Sequence, residues 1–225
     1  EWFIHFQDRG LYGRVVHMQP VVWENDWPVI GIHAKDGCGE PCLIYKKPDT
    51  GVCGTPCGLE ASDDFQEEKL NLMWQWLGNA RDSFYSLKER PGFLRLYCLN
   101  PSGKKEPVLW ENANVLTQKL VCPSFKARTC LHFDNLSENE QAGMVMMGGH
   151  YAYISVRMTE GKRSLVFARA YDCKGEMKEK AVPIMELQED TEKVYISFVM
   201  ENNEDRPSFK MYYSLNGEEL INVPT

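Results

Sequence analysis

The first 31 residues constrain the fold of this chain more than any other stretch, because short apolar runs alternate there with turn residues. Residues 3–31 are FIHFQDRGLYGRVVHMQPVVWENDWPVIG. This pattern predicts one strand at Trp2–Phe6, a second at Arg14–Gln19 and a third after the polar loop 23–28. Three short strands joined by tight turns are typical of a propeller blade or a small meander. Such a sheet needs another layer over its apolar face, so we expect further structure to cover it.

The chain from Leu70 onward also predicts strands, with almost no helical periodicity. Short runs rich in β-branched and aromatic residues are separated by turn sequences such as Gly148-Gly149 and Asn216-Gly217. The predicted strands are 93–98, 115–121, 127–133, 142–147, 151–158, 164–171, 193–200 and 208–214. Strands of this length at this spacing indicate an all-β sandwich. A single helical turn is expected at 63–68, with Ser62 as its N-cap.

These patterns predict three regions along the chain. Residues 1–33 form the blade-like antiparallel meander, and residues 69–225 form the β-sandwich. Residues 34–68 between them are rich in Gly, Pro and Cys and contain few strand signals. A connection of this length without regular structure is common between domains and unusual within one, so we interpret it as a linker.

Charge and hydropathy exclude several classes of partner. The formal net charge is −7, and the sequence contains no cluster of Lys and Arg. Nucleic acid and anionic membrane surfaces are therefore not expected partners. No apolar run reaches 18 residues, so no membrane-spanning helix is expected. A mildly acidic surface suits neutral sugars, which proteins bind through aromatic side chains and hydrogen bonds. The compartment is not predicted.

A family resemblance follows from the opening motif and from segments spread along the rest of the chain. The run HFQDRG-x-YGR-x-VH-x-QP-x-x-W-x-NDWPVIG, followed by Gly-Glu-Pro and residues 45–48, resembles the last blade of glycoside hydrolase family 43. These five-bladed β-propeller enzymes include β-xylosidases and α-L-arabinofuranosidases. The later part resembles the concanavalin A-like (jelly-roll) β-sandwich attached to many of them, without its final strands. The segments that carry this second likeness are KLNLMWQW (69–76), FYSLKERPGFLRL (84–96), LTQKLVCPSFKARTCLHF (116–133) and QAGMVMM (141–147).

The resemblance implies hydrolysis of glycosidic bonds in xylan- or arabinan-type oligosaccharides by the whole enzyme. Inverting glycosidases need a carboxylic acid and a carboxylate base on opposite sides of the bond. In this family both come from earlier blades, so we assign no catalytic residue here and expect the chain alone to be inactive. Asp8, Glu24 and Asp26 lie in predicted turns, where acidic residues are usually solvated or capping. The missing propeller would be the main partner, and the sandwich would wall its cleft.

Two residues of the blade are candidate substrate contacts. Arg14 follows Gly13 and matches the position from which the family points an arginine at the substrate, where its fork of donors can hold hydroxyls. The alternative is a surface arginine paired with Asp8 or Glu24. His5 is expected to face the channel of the propeller, or to be a core histidine. Strand parity predicts that His17 does not join it.

Two tryptophans of the sandwich are further substrate-binding candidates. Trp74 and Trp76 flank Gln75 and share a strand face. Exposed, they would form a sugar-stacking platform; buried, they would be core, which their apolar neighbours favour. The family often continues with Asn-His-Asn-Pro, whereas this chain has Leu-Gly-Asn-Ala at 77–80.

Four cysteines raise the question of a metal. Two Cys-x3-Cys pairs in the glycine-rich connection approach a zinc-ribbon layout, although x2 is the commoner spacing: Cys38, Cys42, Cys53 and Cys57. The alternative, which we favour, is that they are free or occasionally disulfide-bonded thiols. No other cofactor is expected.

Two other functions and one assembly state also follow from these features. The chain could act as a free-standing carbohydrate-binding, lectin-like module, or as a small zinc-stabilised interaction protein. The blade motif argues against the lectin-like module, because a lectin has no need of a propeller's last blade. Exposed strand edges and a blade without neighbours predict self-association into a homo-oligomer.

Overall fold

The computed structural model describes residues 1–35, 37–54, 58, 61–99, 108–120, 122–203 and 206–224. They form antiparallel strands and three short 3₁₀ helices, Gly10–Tyr12, Asp82–Phe84 and Leu109–Glu111. Within these ranges, no helix has the length and apolar character that a membrane crossing requires. The all-β prediction is confirmed.

The chain divides into two compact units, Glu1–Glu60 and Ala61–Thr225. The division falls inside the stretch 34–68 that the sequence marks as a connection. The finer division into blade, linker and sandwich at residues 33 and 68 stays a prediction.

The first unit is built on a three-stranded antiparallel sheet in the order β1-β2-β3, with a small hairpin of β4 and β5. Its strands are β1 (Trp2–Asp8), β2 (Arg14–Glu24), β3 (Trp27–Ile30), β4 (Ile32–Lys35) and β5 (Cys38–Glu40). The turn between β2 and β3 consists of Asn25 and Asp26, with φ of 50° and 61°. Two successive positive φ angles give the type I′ turn that suits a two-residue hairpin, and Asn and Asp tolerate them well.

The sheet of the first unit carries apolar side chains on both faces. Ile4 and Val16 are each 66% exposed on one face, which they share with Phe6, the residue opposite Val16 in the β1–β2 ladder. Phe3 and Trp23, on the other face, are also exposed. A sheet in a globular domain normally keeps one face polar or covers it. Both faces of this sheet therefore leave apolar side chains exposed.

The second unit contains two four-stranded antiparallel sheets, in the orders β10-β15-β16-β17 and β11-β12-β13-β14, and two small strand pairs, β6-β9 and β7-β8. Its strands are β6 (Gln75–Trp76), β7 (Tyr85–Ser86), β8 (Arg95–Leu96), β9 (Leu116–Thr117), β10 (Phe125–His132), β11 (Gln141–Met146), β12 (Ala152–Thr159), β13 (Lys162–Cys173), β14 (Glu176–Glu186), β15 (Lys193–Asn203), β16 (Arg206–Ser214) and β17 (Ile221–Val223).

The main core of the second unit lies between these two sheets. Ile154 and Leu165, from β12 and β13, form one cluster with Phe198 and Met211, from β15 and β16. All four are buried. Alternate residues of each strand point into this layer, as two facing sheets require. The predicted sandwich is therefore confirmed.

Local predictions fail where short polar side chains take over the backbone hydrogen bonds. The helical turn expected at 63–68 is wrong, because Asp63 Oδ1 accepts the backbone N–H of Phe65 (2.8 Å), and Phe65 has a φ of 55°. The first strand expected from Leu70 onward is reduced to Gln75–Trp76. The strand expected at 115–121 is reduced to Leu116–Thr117, and its last residue, Val121, lies outside the described residues.

Candidate functional site

Arg14 begins β2 directly after a turn that fixes its position. The turn closes through Arg9 N–H to the carbonyl of Gly13 (2.8 Å), and Gly13 has a φ of 72°. Only glycine adopts this backbone conformation without strain. The exposed Arg14 guanidinium lies 5.1 Å from the centre of the Phe6 ring, a cation–π distance. Among the described residues Arg14 makes no ion pair.

His5 lies in a row of stacked rings on β1 and β2. Its imidazole stacks on Phe3 and on His17, with ring centres 5.4 Å apart in both pairs. The prediction that His17 would not join His5 is wrong. The two residues are directly opposite each other in the antiparallel ladder, and opposite residues share a face. His17 Nε2 is buried without a hydrogen-bond partner in the described part of the chain.

Asp8, Glu24 and Asp26 lie in or beside turns of the first unit, since Asp8 ends β1, Glu24 ends β2 and Asp26 lies in the turn between β2 and β3. Asp8 Oδ1 accepts the backbone N–H of Gly10 at 2.8 Å. Asp26 is the second residue of the type I′ turn. Glu24 pairs with Trp27 across that turn and is exposed. The Asp8 side chain thus caps its turn, and we assign no catalytic role to any of the three.

Trp74 and Trp76 are both half-buried in the second unit. Trp74 stacks on Phe65 with ring centres 5.8 Å apart, and its Nε1–H donates to Asp63 Oδ2 at 2.8 Å. Trp76 packs against the rings of Phe84 and Tyr85 at 5.3 and 5.5 Å. Both indoles thus make the packing contacts of the core alternative. Their predicted role in sugar binding stays a prediction.

Three of the four candidate zinc ligands lie in described residues. Cys38, Cys42 and Cys53 are free thiols. Cys42 is fixed by Gln19, whose Oε1 accepts the Cys42 backbone N–H (2.9 Å) and whose Nε2 donates to the Cys42 carbonyl (3.1 Å). Nowhere in the described ranges do three His, Cys, Asp or Glu side chains come together as metal ligands. Cys57 lies outside the described residues, so the four-cysteine site stays a prediction.

A polar network that the sequence did not predict lies on the side of the β11–β14 sheet away from the main core. Glu179 accepts hydrogen bonds from the hydroxyls of Tyr151 (2.8 Å) and Tyr153 (2.6 Å). Gln141 Oε1 in turn accepts from Arg157 Nε (3.2 Å) and Nη2 (2.9 Å). Burial, reinforced by the Glu179 carboxylate, raises the pKa of both tyrosines above the usual value, so they remain protonated donors. These residues are separated in sequence and form no motif.

The network also holds one of the 3₁₀ helices. The backbone N–H of Leu109 donates to the Tyr151 hydroxyl at 2.7 Å, and the Leu109 side chain packs against the cluster around Tyr151 and Ala170. The next residue, Trp110, is 42% exposed. An indole is thus presented to solvent from a turn that is fixed to the sheet.

A second titratable group lies at the end of β10. The ring of His132 meets the edge of Phe93 at 5.3 Å, and the guanidinium of Arg90 lies 3.7 Å from the Phe93 ring centre. Burial, followed by the positive charges of Arg90 and Lys193, lowers the pKa of His132.

Comparison with known proteins finds a matching family and several relatives. The family described as the β-xylosidase C-terminal concanavalin A-like domain matches residues 62–225. A putative β-xylosidase of Xylanibacter ruminicola is 45% identical over 121 residues, which are 53% of this chain and 22% of that protein. A β-xylosidase of Formosa agariphila is 31% identical over 189 residues, which are 74% of this chain and 32% of that protein.

Solved structures share the fold over nearly the whole chain. A bifunctional GH43-CE protein of Bacteroides eggerthii matches 99% of this chain and 27% of its own, with a TM-score of 0.73 and 26% sequence identity. The chain thus corresponds to roughly a fifth to a third of the length of these three relatives.

Proposed function

The chain belongs to glycoside hydrolase family 43, in which it carries the β-xylosidase C-terminal concanavalin A-like domain, and from that membership we propose its role in a larger enzyme. The first unit is the last blade of a catalytic propeller, and the second is the accessory sandwich that shapes the substrate cleft. The whole enzyme hydrolyses glycosidic bonds in xylan- or arabinan-type oligosaccharides. The reacting carboxylates lie in a propeller segment outside this chain.

The proposal depends on the exposure of Arg14 and on its contacts. Its guanidinium is exposed, stands over the Phe6 ring and has no carboxylate partner among the described residues. A guanidinium fixed in this way can donate to sugar hydroxyls and to a neighbouring catalytic acid in a defined geometry. The charge on the arginine also favours the ionised form of a nearby carboxyl group. We assign Arg14 as a substrate-side donor, and His5, on the opposite face of the sheet, as a residue that faces the propeller channel.

The two-sided apolar sheet supports the blade assignment. Ile4, Val16 and Phe3 would lie against adjacent blades, which would cover both faces. Each buried methylene group contributes about 0.8 kcal/mol, so covering these side chains would add substantially to the stability of the assembly. The sandwich would hold Trp74 and Trp76 at the rim of the cleft, where they would act mainly as packing that positions the wall.

The experiment is an exchange of matching regions. In the β-xylosidase of Formosa agariphila, the region that matches this chain is replaced by the chain, and kcat/KM is measured on 4-nitrophenyl β-xyloside. We expect the chimera to turn over substrate and Arg14→Ala to lower kcat/KM about 10- to 100-fold, since a hydrogen bond from a charged donor is worth about 1.5–3 kcal/mol. Arg9→Ala, a neighbouring exposed arginine in the preceding turn, is the matched control and should leave kcat/KM unchanged. A folded chimera in which Arg14→Ala is as active as its parent would contradict the role of Arg14.

A lectin-like function is the second candidate, favoured by the exposed Trp110 and the polar network beside it. Such a module would bind oligosaccharide without cleaving it and without any propeller. Binding by the chain alone, together with an inactive chimera, would favour this function over the first.

A further inference from the structure

The turn at Leu109–Glu111 offers an exposed tryptophan on a fixed support. Its own hydrogen bonds run from Glu111 N–H to the Val108 carbonyl (3.0 Å) and from Asn112 N–H to the Leu109 carbonyl (3.1 Å). The Tyr151 hydroxyl holds the Leu109 N–H, and Tyr151 itself is 3% exposed. The backbone that carries Trp110 is therefore fixed to β12 before any ligand arrives, which lowers the ordering cost of binding.

An acceptor lies beside this turn. The Tyr151 hydroxyl accepts from Leu109 N–H and donates to Glu179 Oε2, so the carboxylate lies two hydrogen bonds away from the backbone of the turn. A carboxylate offers about four lone-pair sites, and the two tyrosine hydroxyls use two of them. Glu179 is only half-buried, and its remaining sites can accept hydroxyl donors from solvent or from a ligand.

These two features together favour one ligand chemistry. A flat indole face binds the C–H face of a pyranose ring, and a carboxylate two hydrogen bonds from the backbone of the same turn can accept from ring hydroxyls. Glu179 is acidic, so a sugar that carries its own carboxylate would be repelled. The combination suits a neutral polyhydroxylated ring.

We propose that Trp110 and Glu179 form a non-catalytic binding site for neutral oligosaccharides on the sandwich, held in place by Tyr151. Trp110 stacks on one sugar ring and the Glu179 carboxylate accepts from its hydroxyls. Tyr151 acts as a positioning residue, because its hydroxyl bonds both the backbone of the turn that carries Trp110 and the Glu179 carboxylate. The site goes beyond the cleft role proposed above, and it belongs to the second unit alone.

The test is a calorimetric titration of the 225-residue chain with xylohexaose and, separately, with a galacturonate hexamer. We expect saturable binding of xylohexaose and none of the acidic oligomer. Trp110→Ala should weaken binding at least tenfold, Trp110→Phe should retain part of it, and Glu179→Gln should weaken it several-fold. Tyr171→Ala is the matched control, because Tyr171 is an aromatic residue of β13 with 40% exposure and no such anchor. Its titration should equal that of the parent.

Several outcomes would overturn the site. The proposal would be overturned if the chain did not bind xylohexaose, if Trp110→Ala bound it with the affinity of the parent, or if the chain preferred the acidic oligomer. Circular dichroism spectra of each variant establish that the fold is intact. A Tyr151→Phe variant adds a readout of positioning: we expect weaker xylohexaose binding with unchanged stoichiometry. The exchange experiment with Arg14 is separate, since it measures hydrolysis of a short aryl xyloside by the chimera, whereas the titration measures binding of xylohexaose by the chain alone.

Discussion

Truncation of Ile154 should reveal how much of the sandwich depends on packing between its two sheets. Ile154 is fully buried (0% exposed) in the cluster that joins β12 to β15. Ile154→Ala removes three carbon groups, which costs about 2.4 kcal/mol at about 0.8 kcal/mol for each. The cavity left behind raises this cost, and buried Ile→Ala changes fall at about 2–5 kcal/mol. Ile154→Val removes one group and should cost about 0.5–1.5 kcal/mol.

The assays are urea and thermal unfolding followed by circular dichroism, with hydrogen exchange of β12 and β15 amides to assign the transition to the second unit. For a domain of this size, each kcal/mol lowers Tm by about 2–4 °C, so Ile154→Ala should lower it by about 4–20 °C. Val182→Ala is the control, because Val182 is 45% exposed on the same sheet, and its change should stay within about 0.5 kcal/mol. An Ile154→Ala cost similar to that of Val182→Ala would refute the face-to-face core.

Three further outcomes follow from other parts of the molecule. Burial and Arg90 lower the pKa of His132 in the folded chain, so the unfolded chain binds that proton more tightly. The urea midpoint should therefore fall as pH drops below about 6.5, the ordinary pKa of histidine. The fall should be smaller in His132→Gln. Tyr153→Phe removes one donor to Glu179, so the free energy of unfolding should decrease by about 1.5–3 kcal/mol in denaturant titration. Light scattering should show self-association of the chain, and Val16→Lys should reduce it, because Val16 lies on the exposed apolar face; a monodisperse parent chain would count against this.

The sandwich strands could be predicted from sequence where apolar and β-branched residues make the pattern. The strands expected at 151–158 and 193–200 appear as Ala152–Thr159 and Lys193–Asn203. The strand Glu176–Glu186 was missed. Its charged residues and Pro183 give no apolar alternation, because it is an edge strand, and edges are protected by such residues. A strand could therefore be predicted from the sequence where one of its faces is buried.

Contacts between distant residues account for most of what the sequence could not provide. The pairing of His5 with His17 depends on the register of the β1–β2 ladder, which the turn fixes and strand parity alone does not. The network of Glu179 with Tyr151 and Tyr153 joins β12 to β14 and leaves no local pattern. The position of Arg14 at the start of a strand, in contrast, could be predicted from the local Gly13-Arg14 motif, because it depends on one turn.

The most direct test of the central claim is the activity of the purified chain on 4-nitrophenyl β-xyloside and 4-nitrophenyl α-L-arabinofuranoside. The claim is that the chain supplies a substrate-side arginine and a cleft wall, while the reacting carboxylates lie elsewhere. We predict no turnover above buffer with either substrate. Turnover that remains after rigorous purification, and that is lost in Asp8→Asn or Asp26→Asn, would show that the chain contains its own acid–base pair and would contradict the account.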